Sequence, residues 1–334
     1  MVNSNGLCRL QRRVRSGFSP LSVSCQILIS RFIDIKVLGK RQAFFLGNAS
    51  IVCFHPWGAF GREKKDSSLA LDLLSSHYSE CKKFGNTQRR YSMTRTAIVT
   101  GSSRGIGAAV AMRLAQDGFA VIVNYVGHRV AAEALVESIH VSGGQAVCLG
   151  ADVSKATDAG SLFDLAEETF GGVDVLVNNA GIMQLAPIAE TDEETVTKHL
   201  DINLKGTFNM LREAATRVRD GGRIINLSTS VIGLRFPGYG IYAATKAAVE
   251  SLTVTMANEM RGRNITVNAL APGPTGTDLF LEGKTKEVVD RLSKAAPLER
   301  LGTPEDIASS VAFLAGPDGG WINGQVIRAN GGIV

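Results

Sequence analysis

The 334-residue chain has only five cysteines, and four of them (Cys8, Cys25, Cys53 and Cys81) fall within the first 93 residues. The remainder keeps Cys148 alone, so neither a disulfide framework nor a paired-cysteine metal site is available there. A lone thiol inside an apolar run reads as a small hydrophobe, and the body reads as a reduced, intracellular protein. Long apolar stretches are missing too: none reaches the ~18 residues that a membrane-spanning helix needs. The nearest, "AFFLGNASIVCF", is short and polar in its middle. Histidine is scarce, and the last one is His199. Gly101, Ser103 and Gly105 therefore cannot serve as a hydrolase nucleophile elbow, which needs an acid and then a histidine further along the chain. Internal repeats and low-complexity tracts are absent.

Charge divides the chain. Residues 1–93 carry 15 Lys/Arg and 5 Asp/Glu, a net +10, and the remaining 21 Lys/Arg and 26 Asp/Glu leave −5 on the body. The basic balance thus belongs to the extension, and a nucleic-acid-binding face on the body is not supported. Residues 1–61 hold eight Lys/Arg against the single acid Asp34, a composition resembling an organellar transit peptide. Met93 opens "MTRTAIVTG", a natural start just before a strand, so the expected division is a basic extension over 1–92, disordered or a targeting segment, and one catalytic domain over 93–334. The expected location is the cytoplasm, or an organelle if residues 1–92 are a transit peptide.

From Thr94 onward, short β-branched runs alternate with helix-patterned segments. The strands expected are 96–100, 120–125, 145–151, 173–179, 223–229, 264–270 and 325–329. Between the first two, Ile106, Val110 and Leu114 recur at four-residue spacing until Gly118; between the next two, Ala131, Leu135 and Ile139 do the same. Apolar strands alternating with amphipathic helices predict an α/β domain: a doubly wound parallel sheet with helices on both faces.

"TGSSRGIG" (100–107) follows the first strand and opens the first helix, with glycines at 101, 105 and 107. That spacing suits a tight turn, close approach of backbone to a pyrophosphate, and amides at a helix N-terminus facing negative charge. "GKT" (283–285) imitates a phosphate loop, but Asp278 stands where its first glycine should be and no strand precedes it. A carboxylate at the end of the second strand would mark NAD. Asn124 and Tyr125 stand there instead, and no acid occurs between Asp117 and Glu133. Arg104 in the turn, with Arg129 as a second candidate, suits a 2′-phosphate, so NADP is favoured over NAD.

Thr100–Gly107, "NNAG" (178–181), Asn203 in "DINLKG", the serines of "NLSTS", "YAATK" and "PGPTGT" (272–277) occur in the order found in short-chain dehydrogenases/reductases. The resemblance spans essentially all of 94–334. It implies a seven-stranded Rossmann-type fold, a nicotinamide cofactor, and catalytic residues Asn203, Ser230, Tyr242 and Lys246, with Thr229 and Ser228 as adjacent alternatives to Ser230. Carried onto this chain, the cofactor contacts are Gly101, Ser103, Arg104, Gly105, Ile106 and Gly107 of the turn, then Asn124, and Asp152 and Val153 for the adenine. Asn178, Ala180 and Gly181 lie beneath the ribose, and Tyr242 and Lys246 reach the nicotinamide side. Pro272, Gly273, Thr275 and Thr277 complete the set, with Thr277 at the carboxamide. Asn203 is expected to anchor a water that leads protons towards Lys246.

Tyr242 and Lys246 share a helix face at i and i+4. A phenol has a reference pKa of about 10, and a nearby ammonium favours its ionised form, so Tyr242 is expected to exchange protons as general acid or base. Tyr239 has Ala243 four residues on and is set aside. The expected activity is NADPH-dependent reduction of a small or moderately apolar aldehyde or ketone. The alternatives are 3-oxoacyl-[acyl-carrier-protein] reduction, NAD-linked alcohol or sugar oxidation, and a catalytically silent NADP-binding regulator. Residues 276–296 are expected to cover the substrate through Leu279, Phe280 and Leu281, with Met183 to Leu185 opposite. Partners are the small carbonyl substrate and a second copy of the chain (a tetramer over a dimer), with no metal, nucleic acid or membrane.

Overall fold

The computed structural model describes residues 94–334 and two three-residue strands further upstream. The chain divides into two compact units, Met1–Tyr91 and Ser92–Val334. In the first, strands Lys36–Leu38 and Arg41–Ala43 pair antiparallel; the expected targeting segment otherwise lies outside the described residues.

In the second unit, seven strands form one sheet: β1 (Thr96–Val99), β2 (Ala120–Tyr125), β3 (Gln145–Gly150), β4 (Val173–Asn178), β5 (Val218–Leu227), β6 (Thr266–Pro272) and β7 (Val326–Ala329). Every pairing is parallel, and the spatial order is β3-β2-β1-β4-β5-β6-β7. The winding therefore reverses between β1 and β4. Loops leaving these two strands diverge to opposite sides and open a crevice at the strands' C-terminal ends, where open α/β sheets bind ligands.

The helices are α1 (Gly105–Gln116), α2 (Arg129–Val141), α3 (Ala156–Phe170), α4 (Glu193–His199), α5 (Thr207–Arg217), α6 (Gly240–Glu259), α7 (Lys286–Ala295) and α8 (Pro304–Ala315). Two short helical turns, Val231–Leu234 and Asp278–Leu281, lie between them. Side chains alternate along each strand, so Ala97, Val99, Val121 and Val123 pack with Val110, Leu114 and Val311 in one core. Ile98, Ile122 and Leu176 pack with Leu162, Phe163 and Met210 in the other. Burial on both faces explains why the central strands are almost uninterruptedly apolar. Among the described residues, no helix is long and apolar enough to cross a membrane.

Three expectations shift locally. In α2 it is Ala132, with Ile139, that is buried, and Ala131 is exposed. Strand β5 begins five residues earlier than expected, passing a register irregularity against β4 near Val173 and Val175. Strand β6 starts only at Thr266, because Asn264 takes a left-handed conformation (φ 54°) that breaks the extended run. Between α4 and α5 the helix widens into a π-helical turn, Leu200–Gly206, a form concentrated at functional sites.

Candidate active site

The turn leaving β1 is packed against the one leaving β4. Gly101 and Gly105 have φ of +60° and +56°, and a Cβ on Gly101 would lie 2.9 Å from the Ala180 Cα. Asn179 Nδ2 donates to the carbonyls of Thr100 and Gly101, both at 2.9 Å, while the Thr100 hydroxyl accepts the N–H groups of Asn179 and Ala180 at 3.0 Å. Helix α1 starts at once, and Arg104 at its N-cap makes no side-chain capping bond. The first-turn amides are thus left to an external acceptor. By contrast, α8 is closed by a Thr303–Asp306 capping box. A turn with glycines at 101 and 105, ahead of an uncapped helix end, fits a dinucleotide pyrophosphate.

Several expected cofactor contacts also brace this scaffold. Asn124 is buried; its Oδ1 accepts the Gly101 N–H at 3.0 Å and its Nδ2 donates to the Ala151 carbonyl at 2.8 Å. Asn178 points into the sheet, donating to Asn226 Oδ1 at 2.8 Å, and Asn226 donates in turn to Thr253 Oγ1 at 2.9 Å. Asp152 folds its carboxylate back onto the N–H and hydroxyl of Ser154, at 3.0 and 2.7 Å. Val153 is buried, and a Cβ on Gly206 would lie 2.7 Å from its side chain. Arg104 is exposed beside the turn. Arg129 is paired in solvent with Glu133 at 2.7 Å, which leaves Arg104 the better placed of the two.

Loop 272–277 closes the far side. Pro272, Gly273, Thr275 and Thr277 border the cleft together with Ile106 and Gly181. The Thr277 methyl faces Gly105, where a Cβ would sit 3.5 Å away, and its hydroxyl caps the 278–281 turn.

Helix α6 presents Tyr242 and Lys246 to this cleft. Lys246 is buried and its Nζ donates to the Leu227 carbonyl at 2.7 Å. Burial lowers its pKa to about 8. Burial also pushes the Tyr242 phenol up to about 12, opposed by the Thr229 hydroxyl and reinforced by the Tyr239 phenol. The direction of the phenol's shift is thus set by desolvation, opposite to the lowering expected from Lys246. A Cβ on Gly181 would lie 3.1 Å from Asn203 Oδ1 and 3.5 Å from Lys246 Nζ, so glycine there lets these groups approach.

The Ser230 hydroxyl donates to the Ala271 carbonyl at 3.0 Å and accepts from Asn330 Nδ2 at 2.9 Å. Ser228 donates to Glu250 Oε1 at 2.6 Å. All three residues of 228–230 border the cleft, and of the three it is Thr229 that lowers the Tyr242 phenol pKa against its burial. Asn203 is brought to the site as expected, but its side chain clasps protein: Nδ2 donates to the Ile182 carbonyl at 3.0 Å and Oδ1 accepts the Ile182 N–H at 2.8 Å.

The cleft has a volume of about 140 Å³ and opens to solvent, and its outer walls are apolar: Met183, Leu234, Phe236, Leu279, Phe280 and Leu292. Leu281 and Leu185, expected to line it, are 41% and 40% exposed and stand outside. Tyr239, set aside for lacking a lysine partner, does line the cleft, edge-on to Tyr242 with ring centroids 6.4 Å apart.

A family described as "Enoyl-(Acyl carrier protein) reductase" matches residues 101–334. A "Short-chain type dehydrogenase/reductase" of Picea abies is 44% identical over 250 residues, covering 72% of this chain and 92% of that protein. A "NADPH-dependent aldehyde reductase-like protein, chloroplastic" of Arabidopsis thaliana is 42% identical over 254 residues, 72% of this chain and 94% of its own. Among solved structures, a short chain dehydrogenase from Burkholderia cenocepacia J2315 in complex with NADP superposes with a TM-score of 0.69 at 33% identity, covering 72% of this chain and 98% of that one.

Proposed function

The chain belongs to the short-chain dehydrogenase/reductase family and is an oxidoreductase, and on that premise we propose that it is an NADPH-dependent reductase of small or moderately apolar aldehydes and ketones. The observation that carries this reading is the placement of Tyr242 and Lys246 on one helix face, both at an apolar cleft that Thr229 also borders. A proton-loaded phenol at the base of an apolar cleft is suited to give its proton to a carbonyl oxygen. Thr229 supplies a second hydroxyl where negative charge develops on that oxygen. Lys246, beside them, holds positive charge at neutral pH. Asn203 fixes the wall at Ile182.

NADP is the cofactor, as in the Burkholderia structure and in the name of the Arabidopsis relative; when bound, it supplies the hydride. The residues proposed to hold it are Gly101 to Gly107, with Ser103 and Arg104 at the phosphates and Ile106 at the cleft. Ala180, Gly181, Pro272, Gly273, Thr275 and Thr277 complete the cradle, and Arg104 marks the 2′-phosphate. Asn124, Asn178 and Asp152 support the loops that carry these contacts.

A second reading, a carrier-linked acyl substrate, draws on the family's description. Initial rates of NADPH and NADH oxidation over free aldehydes and ketones, a 3-oxoacyl thioester and an enoyl thioester separate the two. Faster NADPH-linked turnover of the free carbonyls is expected; exclusive turnover of a thioester would move the substrate to the carrier-linked class. Tight NADPH binding without turnover of any of them would make the chain a silent binder.

Assembly into a homo-oligomer, a tetramer over a dimer, is part of the proposal. It is supported by exposed Phe208 on α5 and Val254 on α6, and light scattering tests it. The cytoplasm is the proposed location, and the basic residues 1–92, with the chloroplastic name of the Arabidopsis relative, support organelle import as the alternative. A fluorescent fusion of residues 1–92 decides between them.

A further inference from the structure

Residues Gly181 to Gln184 run along one side of the cleft, which Gly181, Ile182 and Met183 border. They belong to no helix or strand. Two side chains on one helix face hold them instead. Asn203 takes both main-chain polar groups of Ile182, and His199, four residues earlier, accepts the Gln184 N–H at Nε2, 3.2 Å away. Because Nε2 accepts, the ring proton lies on Nδ1, which donates to the Thr195 carbonyl at 2.8 Å. Both ring nitrogens are thus bonded to main chain. The ring is fully buried and stands edge-on to Tyr242, centroids 6.5 Å apart at 76°.

We propose that His199 is a positioning residue: by accepting the Gln184 N–H it pins the Met183 wall at the distance from Tyr242 that a bound carbonyl substrate requires. The kinetic part of this inference rests on the reductase reading; the clamp itself does not. With Asn203 alone, the wall is fixed at Ile182 and free to pivot beyond it, carrying Met183 away from the phenol. A group that only filled space would need no acceptor at this position.

Two substitutions in the full chain separate acceptor from ring. His199→Phe keeps a ring beside Tyr242 and removes the acceptor; His199→Gln keeps an acceptor within reach of Gln184 and removes the ring. Amide hydrogen exchange at Gln184 reads the clamp without substrate. KM and kcat for an aldehyde that the wild type reduces read its effect, and NADPH affinity reports intact folding. For His199→Phe we expect lost protection at Gln184 and a KM raised about tenfold, with kcat changed less and NADPH affinity unaltered. For His199→Gln, protection should persist and KM should stay within about threefold. The proposal is overturned if His199→Phe keeps both protection and KM, if His199→Gln is impaired as severely as His199→Phe, or if Gln184 exchanges freely in the wild type. Should His199→Phe not fold, the glutamine variant and the wild-type exchange still decide. If the wild type reduces no carbonyl, the reductase reading falls, while the exchange measurement continues to judge the clamp.

Discussion

The Thr229 hydroxyl holds the Tyr242 phenol pKa down against its burial, whereas Ser230, the next residue, turns its hydroxyl to the Ala271 carbonyl and the Asn330 amide. Thr229→Val should therefore lower kcat by about 100-fold, the scale of a lost oxyanion donor, and Thr229→Ser should restore most of it. Ser230→Ala should leave kcat within a few-fold and instead lower stability by about 1 kcal/mol through its lost hydrogen bonds. Steady-state kinetics with thermal melts on the three variants checks this; a larger kcat loss in Ser230→Ala than in Thr229→Val would return the role to Ser230.

Rate should depend on pH through Lys246 before Tyr242. Lys246 is lowered to about 8 and the phenol raised to about 12, both chiefly by burial. Carbonyl reduction should decline above about pH 8 as the ammonium is lost, while the phenol keeps its proton. A kcat profile from pH 6 to 10 that stays flat would contradict this assignment.

The same burial has a stability consequence. The folded pKa of Lys246 lies below its ordinary value of 10.5, so between about pH 8 and 10.5 the unfolded chain holds a proton that the folded chain has released. Stability from this group must rise with pH through that window, by up to about 3 kcal/mol. Lys246→Met removes that dependence, although it strips the Leu227 carbonyl of its donor. We expect melting temperatures of wild type relative to Lys246→Met to increase from pH 7.5 to 10, and activity of the variant to fall by about 1,000-fold.

Gly101→Ala places a Cβ 2.9 Å from the Ala180 backbone at a φ of +60°. Such strain is worth about 1–3 kcal/mol, and relieving it must separate the two turns. NADPH affinity measured by fluorescence should fall at least about tenfold. Arg104→Ala should weaken NADPH by about tenfold and leave NADH nearly unchanged, as expected for loss of one charged contact to a phosphate. Arg129→Ala, which breaks only the exposed pair with Glu133, should change neither.

Much of the architecture was legible in the residues because strand and helix periodicities are local. All seven strands lie where apolar runs end at turn residues, and the glycine turn follows β1 as its spacing requires. Direction was harder to read. A run such as Ser228-Thr229-Ser230 reveals a hydroxyl near the strand end, but strand pleat and onset of the next helical turn decide which one faces Tyr242. Asn124 and Asn178 sit at the ends of their strands, yet their amides satisfy neighbouring backbone and side-chain groups that only the assembled sheet brings near. His199 carried no signal beyond being a histidine four residues before Asn203, since its partner Gln184 lies in an irregular segment. The phenol's raised pKa was likewise beyond local reading, because desolvation depends on the whole cleft.

The central claim, hydride transfer to a carbonyl carbon with Tyr242 as proton donor, is tested most directly by following deuterium from NADPH labelled at the transferring position into product. Wild type should yield an alcohol carrying deuterium on its carbinol carbon, and Tyr242→Phe, still binding NADPH, should yield almost none. Deuterium found elsewhere in the product, or undiminished transfer in Tyr242→Phe, would contradict the account.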